Sequence, residues 1–178
     1  MTEFIDILDD SGKSLGHSKP RSEVHKSGLW HKTVHVWLVN SNNMLLLQQL
    51  CHDKEIYPDM WGISAAGHIP AGVTSEAAAL KELHEELAVQ AQPDDLQLIG
   101  TVKNPRILND GEFIDKEYND VFVIVKDIDI QDLKFDPSET QALRYFTVDE
   151  LKAELAKSDS KIINHAEEFK ILFKYLEE

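Results

Sequence analysis

The sequence predicts a mixed α/β fold in which one β-sheet is packed between helices. Three observations support this prediction. Apolar runs of strand length dominate the first third of the chain, as in the β-branched TVHVWLV at 33–39 and in MLLLQQL at 44–50. A helical period is first clear at residues 74–87 and returns near the C-terminus. Strands that precede, separate and follow helices are typical of a mixed sheet covered on both faces.

The chain is predicted to begin with a β-hairpin. EFIDIL at 3–8 alternates like a strand, and DDSGKSLG at 9–16 is rich in turn residues and leads to a second short strand. RSEVHKSGLWHK at 21–32 is interpreted as a polar link that carries His25 and His31. We therefore expect a single domain made of three parts: a hairpin and link at 1–30, a core at 31–150 and a helical segment at 151–178.

The predicted core alternates strands and turns before its first helix. NSNN at 40–43 separates the two apolar strands as a turn, and YPDMWG at 57–62 is interpreted as a loop because it contains Pro and Gly. In the helix at 74–87, Thr74 is the expected N-cap. Leucines at helical spacing predict its buried face: Leu80, Leu83 and Leu87.

The remaining elements are predicted from the same two periods. LQLIGTVKN at 96–104 and EYNDVFVIVKD at 117–127 resemble strands, and NDGEF at 109–113 is a turn signal. TVDELKAELAK at 147–157 is helical in pattern, with Thr147 as its candidate cap. The chain closes on an amphipathic helix within INHAEEFKILFKYLEE.

Composition limits the classes of partner. The formal net charge is -14, from 32 acidic and 18 basic residues, and such a field repels nucleic acid. A small phosphorylated molecule remains compatible with it when cations mediate the contact. Cys51 is the single cysteine, so no disulfide can form within the chain. Without a signal-peptide pattern or an apolar run near ~20 residues, a cytoplasmic protein that does not enter membranes is expected.

Three glutamates raise the question of function. Glu82, Glu85 and Glu86 stand at i, i+3 and i+4, where like charges on a helix repel by a few tenths of a kcal/mol per pair. One interpretation is a solvated acidic face. The other is a site for a hard divalent cation, which takes oxygen ligands and shares its shell with substrate phosphates. Gly67 and Gly72, which precede the helix, permit close approach to a ligand and favour the cation site.

The segment from Gly67 to Val89 resembles the Nudix box. That motif reads Gly, five residues, Glu, seven residues, Arg-Glu, an aliphatic residue, any residue, Glu-Glu, any residue, Gly and an aliphatic residue. Six positions match at the required spacing: Gly67, Glu82, Leu83, Glu85, Glu86 and Val89. The resemblance implies an α/β/α sandwich and a hydrolase that cleaves a diphosphate linked to another moiety. It also implies that Mg²⁺ or Mn²⁺ is held by Glu82, Glu85 and Glu86.

Three positions depart from the motif. Val73 replaces its first Glu, Lys81 replaces its Arg, and Ala88 replaces its last Gly. Lys offers a single point charge where Arg offers a bidentate clamp. Changes to groups that support metal ligands typically cost ~10–100-fold in metal affinity or activity. Ala88 stands where a left-handed residue would end the helix, so it is either strained there or the helix runs further.

The resemblance covers about residues 3–150 and is similar to the isopentenyl-diphosphate-isomerase-like branch of the Nudix proteins. It rests on FIDILDDSGKSLGHSKPRSEVHKSGLWHKTVHVWLV and WGISAAGHIPAG. The chain is also similar to the Nudix module of plant two-part proteins with a peptidase-like second region. In the isomerases, histidines and acids hold a metal, and a cysteine is catalytic. The residues at those metal-ligand positions are His25, His31, His68, Asp115 and Glu117.

Ala66 stands at the position of the isomerase cysteine, and Cys51 belongs to a different loop. Isomerisation requires proton transfer at carbon, for which Ala has no group. Isopentenyl-diphosphate isomerase is therefore ranked below hydrolase. A third hypothesis, based on the three departures from the motif, is a non-catalytic module that binds a diphosphate. Nudix relatives are often dimers, so a homodimer is also considered.

Specific roles follow from the resemblance. Glu82, Glu86 and Glu117 are the candidate catalytic residues, and Glu82 would orient or deprotonate water. The candidate substrate-binding residues are Gly67, His68, Lys81 and Trp61, and Glu139 is a further candidate acid. Some candidates also have a non-functional interpretation. His25 and His31 could be surface histidines, and Asp115 and Glu117 could be solvated acids. Core packing is the alternative for three residues: Trp30, Trp37 and Trp61.

Overall fold

The N-terminal hairpin is present as predicted, but the link after it is a helix. The computed structural model describes residues 2–108 and 113–177. β1 (Phe4–Leu8) pairs antiparallel with β2 (Ser14–Pro20). The prediction of a polar link was wrong for α1 (Arg21–Ser27). This short helix forms because Val24 is fully buried and Gly28 closes the last turn in a left-handed conformation.

A seven-stranded mixed sheet forms the centre of the fold, as predicted. The strand order is β5-β4-β3-β8-β7, with β6 also paired to β3 and β9 to β4. β3 and β8 run parallel, whereas the other pairs are antiparallel. The strands are β3 (His31–Val39), β4 (Leu45–Leu50), β5 (Trp61–Gly62), β6 (Ala65–His68), β7 (Leu96–Leu108), β8 (Phe113–Val125) and β9 (Thr140–Phe146).

Strands β7 and β8 extend further than their sequence patterns predict. Their register continues from Leu96 opposite Ile124 to Leu108 opposite Phe113. Asp115 and Glu117 therefore lie within a paired strand, and the alternative of solvated turn residues is wrong. The turn predicted at NDGEF falls mainly on residues 109–112, which lie outside the described residues.

The predicted helices are confirmed. They are α2 (Ser75–Leu87), α3 (Val148–Leu155) and α4 (Ala166–Glu177). The Thr74 hydroxyl accepts from the amide of Ala77, and Thr147 exchanges capping hydrogen bonds with Glu150.

The helices cover the two faces of the sheet. Because neighbouring strand residues point to opposite faces, Val34, Val36 and Leu38 pack with α2. Trp37 and Val39 pack instead with α3 and α4. Among the described residues, no helix combines the length and apolar character needed to cross a membrane.

Candidate functional site

The glutamates of α2 lie at the edge of the sheet, beside β6. The Glu82 side chain is 14% exposed and that of Glu85 is 56% exposed. Glu82 lies directly against Gly67, where a Cβ would be 2.6 Å from its Oε2. All three glutamates line one cavity of about 270 Å³, together with Asp136 and Glu139. The acidic face predicted from the sequence is therefore concave and only partly solvated.

Glu86 is the most constrained of the three glutamates. Gln48, on β4, donates to Glu86 Oε2 at 2.5 Å, and its own Oε1 accepts from the Thr140 hydroxyl at 2.6 Å. Burial raises the pKa of Glu86 to about 7, and the nearby Glu82 carboxylate adds to that shift. Burial also raises the pKa of Glu82. These acids favour the protonated form more than surface glutamates do, unless a cation compensates them.

Among the described residues, Lys81 is the cation that contacts the cluster of three glutamates. Its Nζ lies 2.6 Å from Glu85 Oε2 and 3.2 Å from Glu82 Oε1. The hydrogen bond to Glu85 contributes most to raising the pKa of Lys81. Lys81 thus bridges two of the three carboxylates as a single point charge, while Glu86 makes no contact with it.

A second cluster lies where α1, β3, β6 and β8 meet. Asp115 Oδ1 lies 3.5 Å from His25 Nε2 and 3.8 Å from His31 Nε2. His31 Nε2 also lies 3.9 Å from Glu117 Oε1. His68 Nε2 lies 3.1 Å from His25 Nε2. His25 and His31 are 6% and 0% exposed, so the alternative of surface histidines is wrong.

The chemistry of this second cluster fits a metal ion. His31 Nδ1 lies 3.0 Å from the Leu29 carbonyl, which fixes the proton on Nδ1 and leaves the Nε2 lone pair free. Burial lowers the pKa of His68 to about 3, so His68 is neutral and able to ligate. His31 Nε2 and Asp115 Oδ1 are buried polar atoms without a hydrogen-bond partner among the described residues. Such atoms are rare unless another group satisfies them.

One continuous region of cavity joins the two clusters. A pocket of about 440 Å³ is lined by Gly67, His68, Lys81, Glu82, Glu85 and Glu117, among others. An adjoining pocket of about 260 Å³ carries Glu86 together with Asp115 and Glu117. Ala66, at the position of the isomerase cysteine, lines both pockets. Eight of the predicted site residues, which come from distant parts of the sequence, thus line one region of the structure.

Other candidates lie elsewhere. Trp61 packs its ring against Phe146, 5.2 Å between centroids, and is not among the residues that line these pockets. Trp37 is a core residue. Glu139 lines the acidic cavity but forms an ion pair with Lys54.

Two further side chains do not belong to the cavity wall described above. Cys51 donates its thiol to the Pro137 carbonyl at 3.0 Å. Trp30 lies beneath the Nζ of Lys103, which is 4.5 Å from its ring centroid.

Ala88 ends α2 in the left-handed conformation, with φ 56°. Its amide bonds to the His84 carbonyl, and the amide of Val89 bonds to the Leu83 carbonyl. Of the two alternatives, a longer helix is therefore wrong and a strained Ala88 is correct. The departure from glycine leaves the helix end, and hence the glutamates, in place.

Several cavity residues were missed by the sequence analysis. Gln48 holds Glu86, and Arg106 lies 3.8 Å from Glu117. His35 lines both pockets and is bonded to Glu168 of α4. A period of two in HKTVHVW placed His35 on the face of His31, so the pattern contained a signal for it. The signal for Glu168 is absent, because its partner is 133 residues away.

Comparison with known proteins identifies relatives. A model of the NUDIX domain matches residues 29–166. The chain is 41% identical over 160 residues to Nudix hydrolase 3 of Arabidopsis thaliana, covering 88% of this chain but only 21% of the plant protein. It is 30% identical over 178 aligned residues to an isopentenyl-diphosphate delta-isomerase of Aspergillus fumigatus, covering 85% of this chain and 63% of that protein.

Among solved structures, DR0079 from Deinococcus radiodurans superimposes with a TM-score of 0.72 at 17% identity. The match covers 97% of this chain and 99% of the other. At that identity the likeness concerns the fold alone.

Proposed function

The chain belongs to the Nudix family, and from that premise we propose that it hydrolyses a diphosphate linked to another moiety. Glu82, Glu85 and Glu86 would hold Mg²⁺ or Mn²⁺. The observation that carries this proposal is the crowding of Glu82 against Gly67 beside the half-buried Glu86. Carboxylates brought together in a cavity at the cost of raised pKa values are a typical sign of a cation site.

The residues of the cavity suggest a division of roles. A bound divalent cation supplies charge neutralisation of the diphosphate and a more acidic attacking water. Glu82 and Glu86 line the cavity and are proposed to orient the attacking water or accept its proton. Lys81 is proposed to exchange its carboxylate contacts for a phosphate oxygen. His68 and the backbone at Gly67 are proposed to contact the substrate.

A second metal is proposed at the histidine cluster. Its ligands would be His25, His31, His68, Asp115 and Glu117, and the unpartnered buried atoms of His31 and Asp115 support it. Imidazole and carboxylate together suit Mn²⁺ or Zn²⁺ better than Mg²⁺. Glu117 also lines the cavity between the clusters and is proposed as a catalytic acid or base there.

The second candidate function is isomerisation of isopentenyl diphosphate. The five-residue cluster favours it, because those positions are the ones at which the resembling isomerases bind metal. Ala66 opposes it, since the side chain lining both pockets at that position cannot transfer a proton. A non-catalytic diphosphate-binding module remains the third candidate, supported by Val73, Lys81 and Ala88.

The deciding experiment is a screen of diphosphate compounds with Mg²⁺ and with Mn²⁺. It would include nucleoside diphosphate sugars, dinucleotides, prenyl diphosphates and oxidised nucleotides. Released phosphate or nucleotide is measured, and isopentenyl diphosphate is followed separately for its dimethylallyl isomer. Metal-dependent cleavage supports the hydrolase. Tight binding by calorimetry without any product would contradict hydrolysis and support the binding module.

The sequence-based predictions of a cytoplasmic location, a homodimer and a single domain belong to this proposal as well. Sedimentation of the purified chain measures the dimer directly.

A further inference from the structure

One histidine of β3 stands between the two clusters and belongs to neither. The alternation of a strand puts His35 on the same sheet face as His31 and Thr33. Its neighbour across the β3–β6 pair is Ala66, and both residues line the two pockets described above.

The inner edge of the His35 ring is fixed. His35 Nδ1 donates to Glu168 Oε2 at 2.7 Å, and Trp37 Nε1 donates to Glu168 Oε1 at 2.6 Å. Glu168 comes from α4 and is 1% exposed. Both oxygens of this buried carboxylate are therefore occupied by donors, which locks the orientation of the ring.

The outer nitrogen of the same ring is the informative one. Within residues 2–108 and 113–177, His35 Nε2 has no hydrogen-bond partner, although the residue is 4% exposed. Burial opposes a charge on His35, but the Glu168 carboxylate outweighs burial and raises its pKa. The other ionisable groups acting on the ring are Glu117 and Arg106, and beside it lies His165.

When its ring is protonated, His35 differs from the other cationic groups of the cavity in where its charge is compensated. Lys81 pairs with Glu82 and Glu85, Arg106 faces Glu117, and Arg21 pairs with Glu3, which lines the same pocket. The counterion of His35 lies behind the ring, away from the cavity, so its outer N–H stays available to an incoming anion. Charge-assisted hydrogen bonds to phosphate are among the stronger ones.

We propose that His35 is a substrate-contacting residue whose Nε2–H donates to a phosphate oxygen of the bound diphosphate. Glu168 and Trp37 are its positioning residues, so the C-terminal helix takes part in the substrate site. The inference rests on the proposed function for its ligand class. The competing explanation is that the His35–Glu168 bond only attaches α4 to the sheet.

Matched variants separate the two explanations. In His35→Asn the amide nitrogen can replace Nδ1 and keep the bond to Glu168, but nothing replaces Nε2. Leu176→Ala is the control, because Leu176 packs α4 on the core eight residues after Glu168 and lines neither pocket. Calorimetric titration with the non-hydrolysable probe methylenediphosphonate, at saturating Mg²⁺, measures binding without requiring turnover.

We expect His35→Asn to raise the Kd for methylenediphosphonate by about 10- to 100-fold. Leu176→Ala should lower the melting temperature and leave that Kd within about twofold, as expected for a cavity-forming core change away from the ligand. Unchanged affinity in a folded His35→Asn protein would overturn the inference while the hydrolase proposal stands. If the wild-type protein binds the probe but hydrolyses none of the diphosphate compounds in the screen, only the proposed function is contradicted. Absence of probe binding in the wild type would overturn both.

Nuclear magnetic resonance supplies a second readout that does not depend on His35→Asn folding. In ¹⁵N-histidine-labelled wild-type protein, the probe should shift the His35 Nε2 resonance. Glu168→Gln should move both ring nitrogens from the imidazolium pattern toward the neutral one and weaken probe binding. A His35 resonance that ignores saturating probe would refute the contact.

Discussion

A Cβ at Gly67 would lie 2.3 Å from Cδ of Glu82. Real side chains do not approach so closely, so position 67 must lack a side chain if Glu82 is to keep its place. β6 presents Gly67 toward α2, and the helix lays Glu82 over it. The glycine belongs to the site because it determines where a carboxylate can rest.

The first prediction concerns Gly67→Ala. The atoms that the new methyl meets are the end of a flexible side chain, so Glu82 can rotate away at little cost in stability. The carboxylate would then leave the cavity. We expect a loss of turnover of ~100-fold, since misplacing a catalytic group by ~1 Å can have that effect, with a melting temperature close to that of the wild type. Gly100→Ala is the control: its Cβ would meet Ile171 Cδ1 at 3.0 Å, outside the cavity.

The second prediction concerns the remaining glutamates of α2. Glu85→Gln and Glu86→Gln should each nearly abolish Mg²⁺-dependent turnover, because a neutral amide is a poor ligand for a hard cation. Both variants should fold, since Glu85 is exposed and Gln at 86 retains a hydrogen-bonding group for Gln48. Turnover and circular dichroism are measured together. Activity that persists in both variants would remove these residues from the metal site.

The third prediction tests the histidine cluster. Adding Mn²⁺ should raise the melting temperature, because a ligand that binds the folded state stabilises it by mass action. Asp115→Asn should remove most of that rise, as its Oδ1 lies within 3.8 Å of both His25 and His31. His52→Asn, which alters an exposed histidine paired with Asp59, is the control. Equal Mn²⁺ shifts in all three proteins would contradict a metal at this cluster.

The fourth prediction is a pH dependence of the metal-free protein. The folded pKa of Glu86 is raised, so its neutral form stabilises the fold at pH 5 and this contribution is lost as pH rises through about 7. Glu86→Gln has no group to ionise at this position. Its free energy of unfolding at pH 8 should therefore exceed that of the wild type by roughly 1–3 kcal/mol, allowing for the partial exposure of Glu86. Near pH 5 the two should be similar.

Urea unfolding with a chelator, between pH 5 and pH 8, measures this difference. Glu85→Gln serves as the comparison at an exposed position. A gap between Glu86→Gln and the wild type that does not grow with pH would show that burial of Glu86 has no such effect.

The fifth prediction concerns the rival reaction. Isopentenyl diphosphate incubated with the protein and both Mg²⁺ and Mn²⁺ should yield no dimethylallyl isomer by proton magnetic resonance. The reason is that Ala66 lacks an ionisable group, while Cys51 lies in another loop and donates a hydrogen bond to the Pro137 carbonyl. Conversion above the rate without protein would reinstate the isomerase.

Local sequence patterns predicted most of the helices and strands. They failed for the elements whose formation depends on tertiary contacts. Thr74 and Thr147 cap their helices as predicted, because capping is decided within four residues. The link at 21–27 was misinterpreted. Its helix is stabilised by the packing of Val24 against Ile5 and Ile7 of the hairpin, which a local pattern does not reveal. β8 began earlier than predicted. Its first four residues, 113–116, are held in the sheet by their pairing with β7, a contact that the local sequence pattern does not contain.

The sequence by itself determined the sheet between helices, the Nudix spacing and the three glutamates that point to a cation. It did so because helix and strand periods, caps and motif spacing are properties of neighbouring residues. Only the tertiary structure decided that the histidines are buried against Asp115, that Gln48 restrains Glu86, and that Glu168 holds His35. Those contacts join residues from 38 to 133 positions apart, and burial and pKa depend on the groups that the whole fold brings together.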